Sequence, residues 1–232
     1  MKGLDMTKIV ALSPSNQNAN TWTDGTTEEF HAVELANMIQ IRLERADCKV
    51  LRADSVKPFG VTPCRINHFQ DADCLVMLHT NAFDGKTRGM RLFAYQAYAS
   101  DGVLASNNGR LMRSIKLAAD LLNMTPAPRC YYDFASWGEL TNADRYNIPA
   151  CYVESIFHDN EEEVKWYYTH MDELADAIAG GILEYLDMPK VDDGSVYKIQ
   201  LGAWKDKKLA EQALAKLQEA GSLMAKAIIV KE

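Results

Sequence analysis

The feature that most constrains the fold is a short apolar run followed by polar, turn-forming residues, CLVMLHTNAFDG at positions 74–85. Four consecutive apolar residues, Leu75 to Leu78, are typical of a strand that is buried on both faces of a parallel sheet. We expect this strand to end at His79, because turn formers follow it. Ligands of open α/β sheets bind outside the carboxyl ends of the strands, so His79 is a candidate functional residue. The alternative is a histidine that merely ends a strand by hydrogen-bonding the next loop.

Strand-like and helical segments alternate along the chain, which predicts an α/β fold with a mostly parallel central sheet flanked by helices. Apolar runs predict strands at 8–13, 48–54, 74–79, 90–95 and 150–156. Helical patterns predict helices at 28–46, 66–72, 104–123 and 161–186. Residues 124–149 show little periodicity, so we expect a long loop that serves as a lid or a substrate-binding edge.

The first predicted helix carries a carboxylate on its buried side. At 100° per residue, Glu28 falls on the apolar stripe of this helix, which consists of Ala32, Leu35, Ala36, Ile39 and Leu43. A buried carboxylate needs a partner, which can be a cation, a metal or a cluster of donors. His31 lies at the edge of the stripe, and a surface position is expected for it.

A second carboxylate interrupts the last predicted strand, ACYVESI at 150–156. Tyr152, Glu154 and Ile156 are expected to share one face of this strand. Glutamate is almost never fully buried unless it is paired. Glu154 is therefore a candidate functional residue.

Composition argues against several classes of protein. The chain has 232 residues and a formal net charge of −7, and its acidic body argues against a nucleic-acid enzyme, which would show a basic stripe. No run approaches the ~20 apolar residues of a membrane span. The five cysteines are scattered without a CxxC pair, which favours reduced, buried thiols. The first residues contain no apolar segment, so we expect no conventional secretory signal.

The C-terminal part of the chain is predicted to form a separate small unit. Residues 188–195 have the composition of a linker, and residues 196–232 have the pattern of a strand, a helix and a second strand. A βαβ unit of this size is too small to fold alone. We therefore expect it to pair with the main domain, with its copy in another chain, or with a partner.

Three elements, taken together and in order, resemble the zinc-dependent N-acetylmuramoyl-L-alanine amidases, the amidase_3 class of cell-wall hydrolases. TTEEFHAVELA at 26–36 is similar to the helix-opening element of the family. MLHTNA at 77–82 is similar to its Ser-Ile-His-x-Asn strand end, and VESIFHDNEEE at 153–163 to its late glutamate element. The resemblance covers residues 8–186 and implies a catalytic domain at 1–187.

The resemblance implies a hydrolase that cleaves the amide between N-acetylmuramic acid and L-alanine in peptidoglycan. It implies Glu28 and His79 as zinc ligands, Glu154 as the catalytic residue and Asn81 as a substrate contact. In the implied mechanism, zinc polarises the carbonyl and activates a water, and Glu154 moves the proton of that water to the leaving amine. Such a protein would act at the cell wall, or be cytoplasmic until lysis.

The sequence departs from the family in its first loop, SPSNQ at 13–17, where Asn16 stands in place of the first zinc histidine. An amide oxygen is a far weaker zinc ligand than an imidazole. Three outcomes are open. Asn16 or Gln17 ligates weakly or through water, His31 substitutes from one helical turn after Glu28, or the site binds no zinc and the protein is a wall-binding pseudoenzyme.

The C-terminal unit resembles one repeat of the SPOR-type glycan-binding modules. The specific residues are Gln200, Gly202, Ala203 and Trp204. The resemblance implies that Gln200 and Trp204 contact glycan. Such modules contain two βαβ-like halves and this chain has one, so a homodimer in which two half-modules complete each other is one expectation.

Two other functions compete with the amidase. A non-catalytic peptidoglycan or glycan binder is favoured by the lost histidine and by the SPOR-like repeat. A metal-dependent α/β hydrolase of another amide is the third candidate, since a fold does not fix a function. Glu154 favours chemistry, because a binder gains nothing from a carboxylate that is costly to bury.

Overall fold

The computed structural model describes residues 7–55, 66–101, 106–122 and 130–189. The chain divides into two units, residues 1–191 and 192–232, and all described residues belong to the first unit. The half-module with Gln200 and Trp204 lies outside the described residues, and so does most of the predicted linker. Both stay predictions.

Six strands within the described ranges form one sheet. They are β1 (Ile9–Pro14), β2 (Lys49–Arg52), β3 (Cys74–Asn81), β4 (Arg91–Tyr95), β5 (Tyr131–Ala135) and β6 (Ala150–Phe157). Their order across the sheet is β2-β1-β3-β6-β4-β5. Neighbouring strands are parallel except β4 and β6, which run antiparallel. The prediction of a mostly parallel central sheet is confirmed.

Helices cover both faces of this sheet. The α-helices in the described ranges are α1 (Glu28–Arg45), α2 (Asn107–Asp120), α3 (Gly138–Arg145) and α4 (Glu161–Tyr185). On one face, α1, α2 and α4 share a buried apolar core with Val76 and Val153 of the central strands. On the other face, Leu140 of α3 belongs to a second core with Met77. None of the helices in the described part of the chain is long and apolar enough to cross a membrane.

Two predictions about the limits of elements are wrong. β3 does not end at His79 but continues to Asn81. Thr80 and Asn81 are turn-forming residues, but Asn81 still pairs with Phe157 of β6. Residues 124–149 are not one long loop, since β5 and α3 lie within them. β5 is a short edge strand that pairs only with β4 in the described sheet, so its two faces lack the apolar pattern of the central strands.

The β3–β6 ladder contains a register shift beside the end of β3. His79 pairs with Glu154, but Asn81 pairs with Phe157, so two steps on β3 oppose three steps on β6. Because of the extra residue, Ile156 belongs to the core under α1, α2 and α4, whereas Tyr152 belongs to the core under α3. The prediction that Tyr152, Glu154 and Ile156 share one face is therefore wrong for Ile156. Shifts of this kind are over-represented next to active sites, where they re-aim a side chain.

Candidate active site

His79 lies at the carboxyl edge of the sheet, on β3 between β1 and β6. Its side chain is 6% exposed. Nδ1 lies 2.9 Å from Glu28 Oε1, and Nε2 lies 3.1 Å from Glu139 Oε2. Burial lowers the pKa of His79, but the hydrogen bonds to Glu139 and Glu28 outweigh burial and raise the pKa to about 9. His79 is therefore positively charged at neutral pH.

Glu28 reaches His79 from the first turn of α1. The side chain of Thr27 caps this helix and fixes where it begins. Glu28 is fully buried, as its place on the apolar stripe predicts. Burial raises the pKa of its carboxyl, but hydrogen bonds from His79, Asn20 and Ser15 bring the pKa below its ordinary value. Glu28 therefore carries a negative charge on the Nδ1 side of the imidazole.

Glu154 lies beside His79, because the two residues are partners in the β3–β6 ladder. Its side chain is buried, and Oε2 has no hydrogen-bond partner among the described residues. Burial raises the pKa of Glu154 to about 7, although the charge of His79 opposes the rise. A buried, unpaired carboxylate oxygen calls for a functional explanation. A carboxyl with a pKa near neutrality is suited to accept a proton and return it.

Glu139 is a site residue that the sequence analysis missed. It lies in the first turn of α3, and its side chain is 26% exposed. Oε2 contacts His79 Nε2, and Oε1 accepts a hydrogen bond from Ser13 Oγ at 3.1 Å. No apolar pattern marks α3, so the sequence carried no signal for this residue. We call Glu28, His79, Glu139 and Glu154 the edge cluster.

Aromatic side chains flank the edge cluster on the α3 side of the sheet. Tyr152 stacks on His79 with ring centroids 4.3 Å apart. Trp137 meets Tyr152 edge-on at 4.8 Å and contacts Phe93 at 4.5 Å. Because Trp137 is 41% exposed, its indole offers a flat apolar surface, and the ring of Tyr152 lies between this surface and His79.

The structure does not bring His31 into the edge cluster. The prediction of a surface position is wrong, because His31 is 1% exposed and stacks on Trp22 with ring centroids 3.9 Å apart. Its ring nitrogens contact Thr26 Oγ1 at 2.8 Å and Glu34 Oε2 at 3.2 Å. These contacts hold the ring among residues that are not part of the cluster.

Residues of two loops form the rim of the site. Asn16 is exposed on the loop that follows β1, and its neighbour Gln17 places Nε2 3.2 Å from His79 Nδ1. Asn81 ends β3, and its Oδ1 accepts a hydrogen bond from the backbone of Ala82 at 2.9 Å. The predicted roles of Asn16 as a metal ligand and Asn81 as a substrate contact stay predictions.

The donors of the edge cluster do not fit the zinc site that the resemblance implies. A catalytic zinc needs three protein ligands that converge on one point. Glu28 lies 2.9 Å from His79 Nδ1, but Asn16 stands where the resemblance places the third ligand, an imidazole, and Glu139 lies on the opposite, Nε2 side of the ring. In the ranges that the structure describes, no three His, Cys, Asp or Glu side chains are grouped to hold a metal ion. We therefore derive no catalytic step through zinc.

The fold and the site define an α/β protein with a histidine–carboxylate cluster at the carboxyl edge of its sheet. A family model described as N-acetylmuramoyl-L-alanine amidase, Amidase_3, matches residues 12–184, and the chain belongs to this family. Membership supports peptidoglycan hydrolysis as the activity. A comparison with curated proteins gives no significant match.

Solved structures of bacterial amidases have a similar fold. The N-acetylmuramoyl-L-alanine amidase AmiC2 of Nostoc punctiforme superposes with a TM-score of 0.64 at 18% identity, covering 78% of this chain and 97% of that chain. The amidase from Clostridium difficile 630 gives the same four values. The apo form of Ami1 from Mycobacterium abscessus has a TM-score of 0.63 at 16% identity, covering 77% of this chain and 98% of that chain. At these identities the likeness shows the fold alone.

Proposed function

We propose that this protein hydrolyses the amide between N-acetylmuramic acid and L-alanine in peptidoglycan, with the edge cluster as its active site. The observation that carries the proposal is the buried, unpaired Oε2 of Glu154 beside the charged ring of His79. Family membership supports the substrate. The exposed face of Trp137 offers an apolar surface against which a sugar ring can pack.

Glu154 is the proton carrier of the proposed reaction. The oxygen of a water forms a bond to the lactyl carbonyl carbon while Glu154 takes one proton of that water. Glu154 then returns this proton to the amide nitrogen, and the carbon–nitrogen bond breaks. The products are a carboxylic acid on the muramic acid side and the free α-amine of L-alanine.

His79 contributes positive charge to the same step. When water attacks, negative charge develops on the carbonyl oxygen, and a fixed positive group nearby stabilises it without reorganisation. Effects of this kind are worth roughly 10²- to 10³-fold in rate when one donor is removed. Zinc stays a prediction of the family resemblance, since no three His, Cys, Asp or Glu side chains of the described residues are grouped to hold a metal ion.

The proposal places the protein at the cell wall with peptidoglycan as its partner. A homodimer through residues 196–232 has no support, because these residues lie outside the described ranges.

Product identity tests the proposed activity. Purified peptidoglycan is incubated with the full chain, and new alanine amines and new reducing sugar ends are both quantified. Amines without reducing ends are the expected result. Reducing ends without amines would indicate glycan-strand cleavage and would contradict the proposal.

A non-catalytic peptidoglycan binder on the same fold is the second candidate. The specific observation in its favour is Asn16, which stands at the position of the first zinc histidine beside a cluster in which no three described His, Cys, Asp or Glu side chains are grouped to hold a metal ion. This candidate predicts that the protein pellets with peptidoglycan and releases neither amines nor reducing ends.

A further inference from the structure

We propose that Arg91 binds a free carboxylate on the peptide side of the scissile amide, so that the protein selects peptidoglycan in which an acidic residue follows L-alanine. The inference deepens the proposed function and rests on it for the class of substrate. Its test measures ligand binding in a variant that lacks the proposed base, so its failure is distinguishable from a failure of the proposed activity.

The direction of β4 brings Arg91 to the edge of the sheet that carries the edge cluster. β4 runs antiparallel to β6, so the first residues of β4 lie beside the last residues of β6. Arg91 begins β4 and is the ladder partner of Glu154. Directly opposite residues of an antiparallel pair have Cβ atoms about 5 Å apart on the same face of the sheet. Arg91 is therefore an immediate neighbour of the proposed base.

The guanidinium of Arg91 lies over aromatic rings. Its Cζ is 4.2 Å from the ring centroid of Tyr131, the partner of Arg91 in the β4–β5 ladder. The same carbon is 5.9 Å from the ring centroid of Phe157, which ends β6. An aromatic face attracts a cation but offers no carboxylate oxygen to its N–H groups. The two rings therefore help to hold the guanidinium in place and leave donors for a ligand.

Arg91 forms no ion pair with a carboxylate of the described residues. By contrast, Arg42, Arg52 and Arg88 each pair with an aspartate or a glutamate. The side chain of Arg91 is half-buried, and its guanidinium is a planar fork of N–H donors that matches the two oxygens of a carboxylate. Such a group, placed beside the proposed base, is suited to bind an anionic part of the substrate.

The chemistry of the substrate indicates which part carries this anion. The lactyl carboxyl of the muramic acid is consumed in the amide, so free carboxylates belong to the peptide and not to the sugar. The exposed indole of Trp137 contacts Phe93, which lies two residues further along β4 than Arg91. A sugar ring packed on Trp137 therefore leaves the position of Arg91 to the peptide.

Binding of two matched ligands tests the inference. The probes are N-acetylmuramoyl-L-alanyl-D-glutamate, whose glutamate carries free carboxylates, and its diamide, in which these carboxylates are uncharged amides. Each is titrated by calorimetry into the full chain carrying Glu154→Gln, which removes the proposed base and keeps the probes intact. We expect the diacid to bind roughly tenfold more tightly than the diamide, because hydrogen bonds to charged groups are the stronger kind. Equal affinities, or binding of neither probe, would overturn the inference.

Variants of two arginines assign the preference to one side chain. Arg91→Gln, added to the same protein, should lower the affinity for the diacid by roughly tenfold and leave that for the diamide unchanged. Arg91→Lys keeps the charge without the planar fork and should keep only part of the preference. Arg88→Gln is the matched control, because it removes the same charge from an arginine that already pairs with Glu162. A preference that survives Arg91→Gln, or that Arg88→Gln abolishes equally, would overturn the inference.

Discussion

At the scale of single residues, the edge cluster places the imidazole of His79, whose pKa is raised, beside the carboxyl of Glu154, which can accept a proton. His79 keeps its proton because carboxylates contact both ring nitrogens. The pKa of Glu154 is raised to about 7 because burial disfavours the charged carboxylate, so both protonation states are populated at neutral pH. The two side chains are neighbours in one ladder, so a base and a positive charge lie side by side without any motion of the backbone.

The pH dependence of turnover follows from these two groups. Glu154 acts as a base only when ionised, so the rate rises with pH through about 7. His79 stabilises the oxyanion only when protonated, so the rate falls as pH rises through about 9. We expect a bell-shaped pH profile of kcat/KM. Because the groups interact, the two apparent pKa values of this profile describe the cluster as a whole and not one residue each. A profile that stays flat on the alkaline side would show that the proton of His79 is not required.

The sequence could predict part of the cluster. Glu28 is recognisable because a carboxylate on an apolar stripe breaks the helical pattern, and Glu154 because it interrupts an apolar strand. Glu139 was not predictable, since its helix has no pattern and its partners Ser13 and His79 are distant in sequence. His31 was misjudged because its burial depends on Trp22, which comes from a loop without periodicity.

At the scale of elements, α2 and α4 pack tightly against each other behind the sheet. Gly181 of α4 lies against α2, and a Cβ at this position would come within 2.5 Å of Ile115 Cα. The atoms that this Cβ would meet, Ile115 Cα, Ile115 N and Ser114 O, all belong to backbone that cannot move aside without separating the helices. The glycine therefore permits a close approach of the two helices over the core of β6.

Replacing Gly181 with alanine is expected to destabilise the fold. Overpacking a core typically lowers the free energy of unfolding by about 1–3 kcal/mol. Denaturant unfolding should show this as a lower midpoint with an unchanged slope. Gly138→Ala is the control, because nothing lies within 4 Å of a Cβ built there. Equal midpoints for the two variants would contradict the close packing.

Sequence patterns predicted the central elements better than those at the edge of the sheet. β1, β3 and β6 are continuous apolar runs because both of their faces are covered, so they are easy to recognise. β5 and α3 are short and polar, and the partners that stabilise them are distant in sequence. The register shift between β3 and β6 is accompanied by a hydrogen bond between the strands, from Ser155 Oγ to the backbone oxygen of His79, which no local pattern encodes.

At the scale of the whole molecule, the chain combines a family domain with a separate C-terminal unit. The family model ends at residue 184 and the second unit begins at residue 192. A glycan-binding role for that unit stays a prediction, made from its resemblance to half of a SPOR-type module. The specific part of the resemblance is the segment from Gln200 to Trp204, and the aromatic face of a tryptophan can pack against a sugar ring.

Glycan retention by the full chain tests the role of Trp204. Trp204→Ala should lower the affinity for purified glycan strands by roughly 3- to 10-fold, measured as the fraction of protein that pellets with them. Trp204→Phe keeps an aromatic face and should lose less glycan affinity than Trp204→Ala. Pelleting that is unchanged in both variants would remove the glycan-binding role from this residue.

The most direct test of the account is amine release by the unmodified chain and by Glu154→Gln, measured side by side on purified peptidoglycan. The account predicts steady release of alanine amines by the unmodified chain and a loss of roughly 10²- to 10⁴-fold in the variant, with equal pelleting of both proteins. Equal release by the two proteins would contradict the role of Glu154. No release by the unmodified chain, with pelleting retained, would contradict the hydrolase and leave the binder.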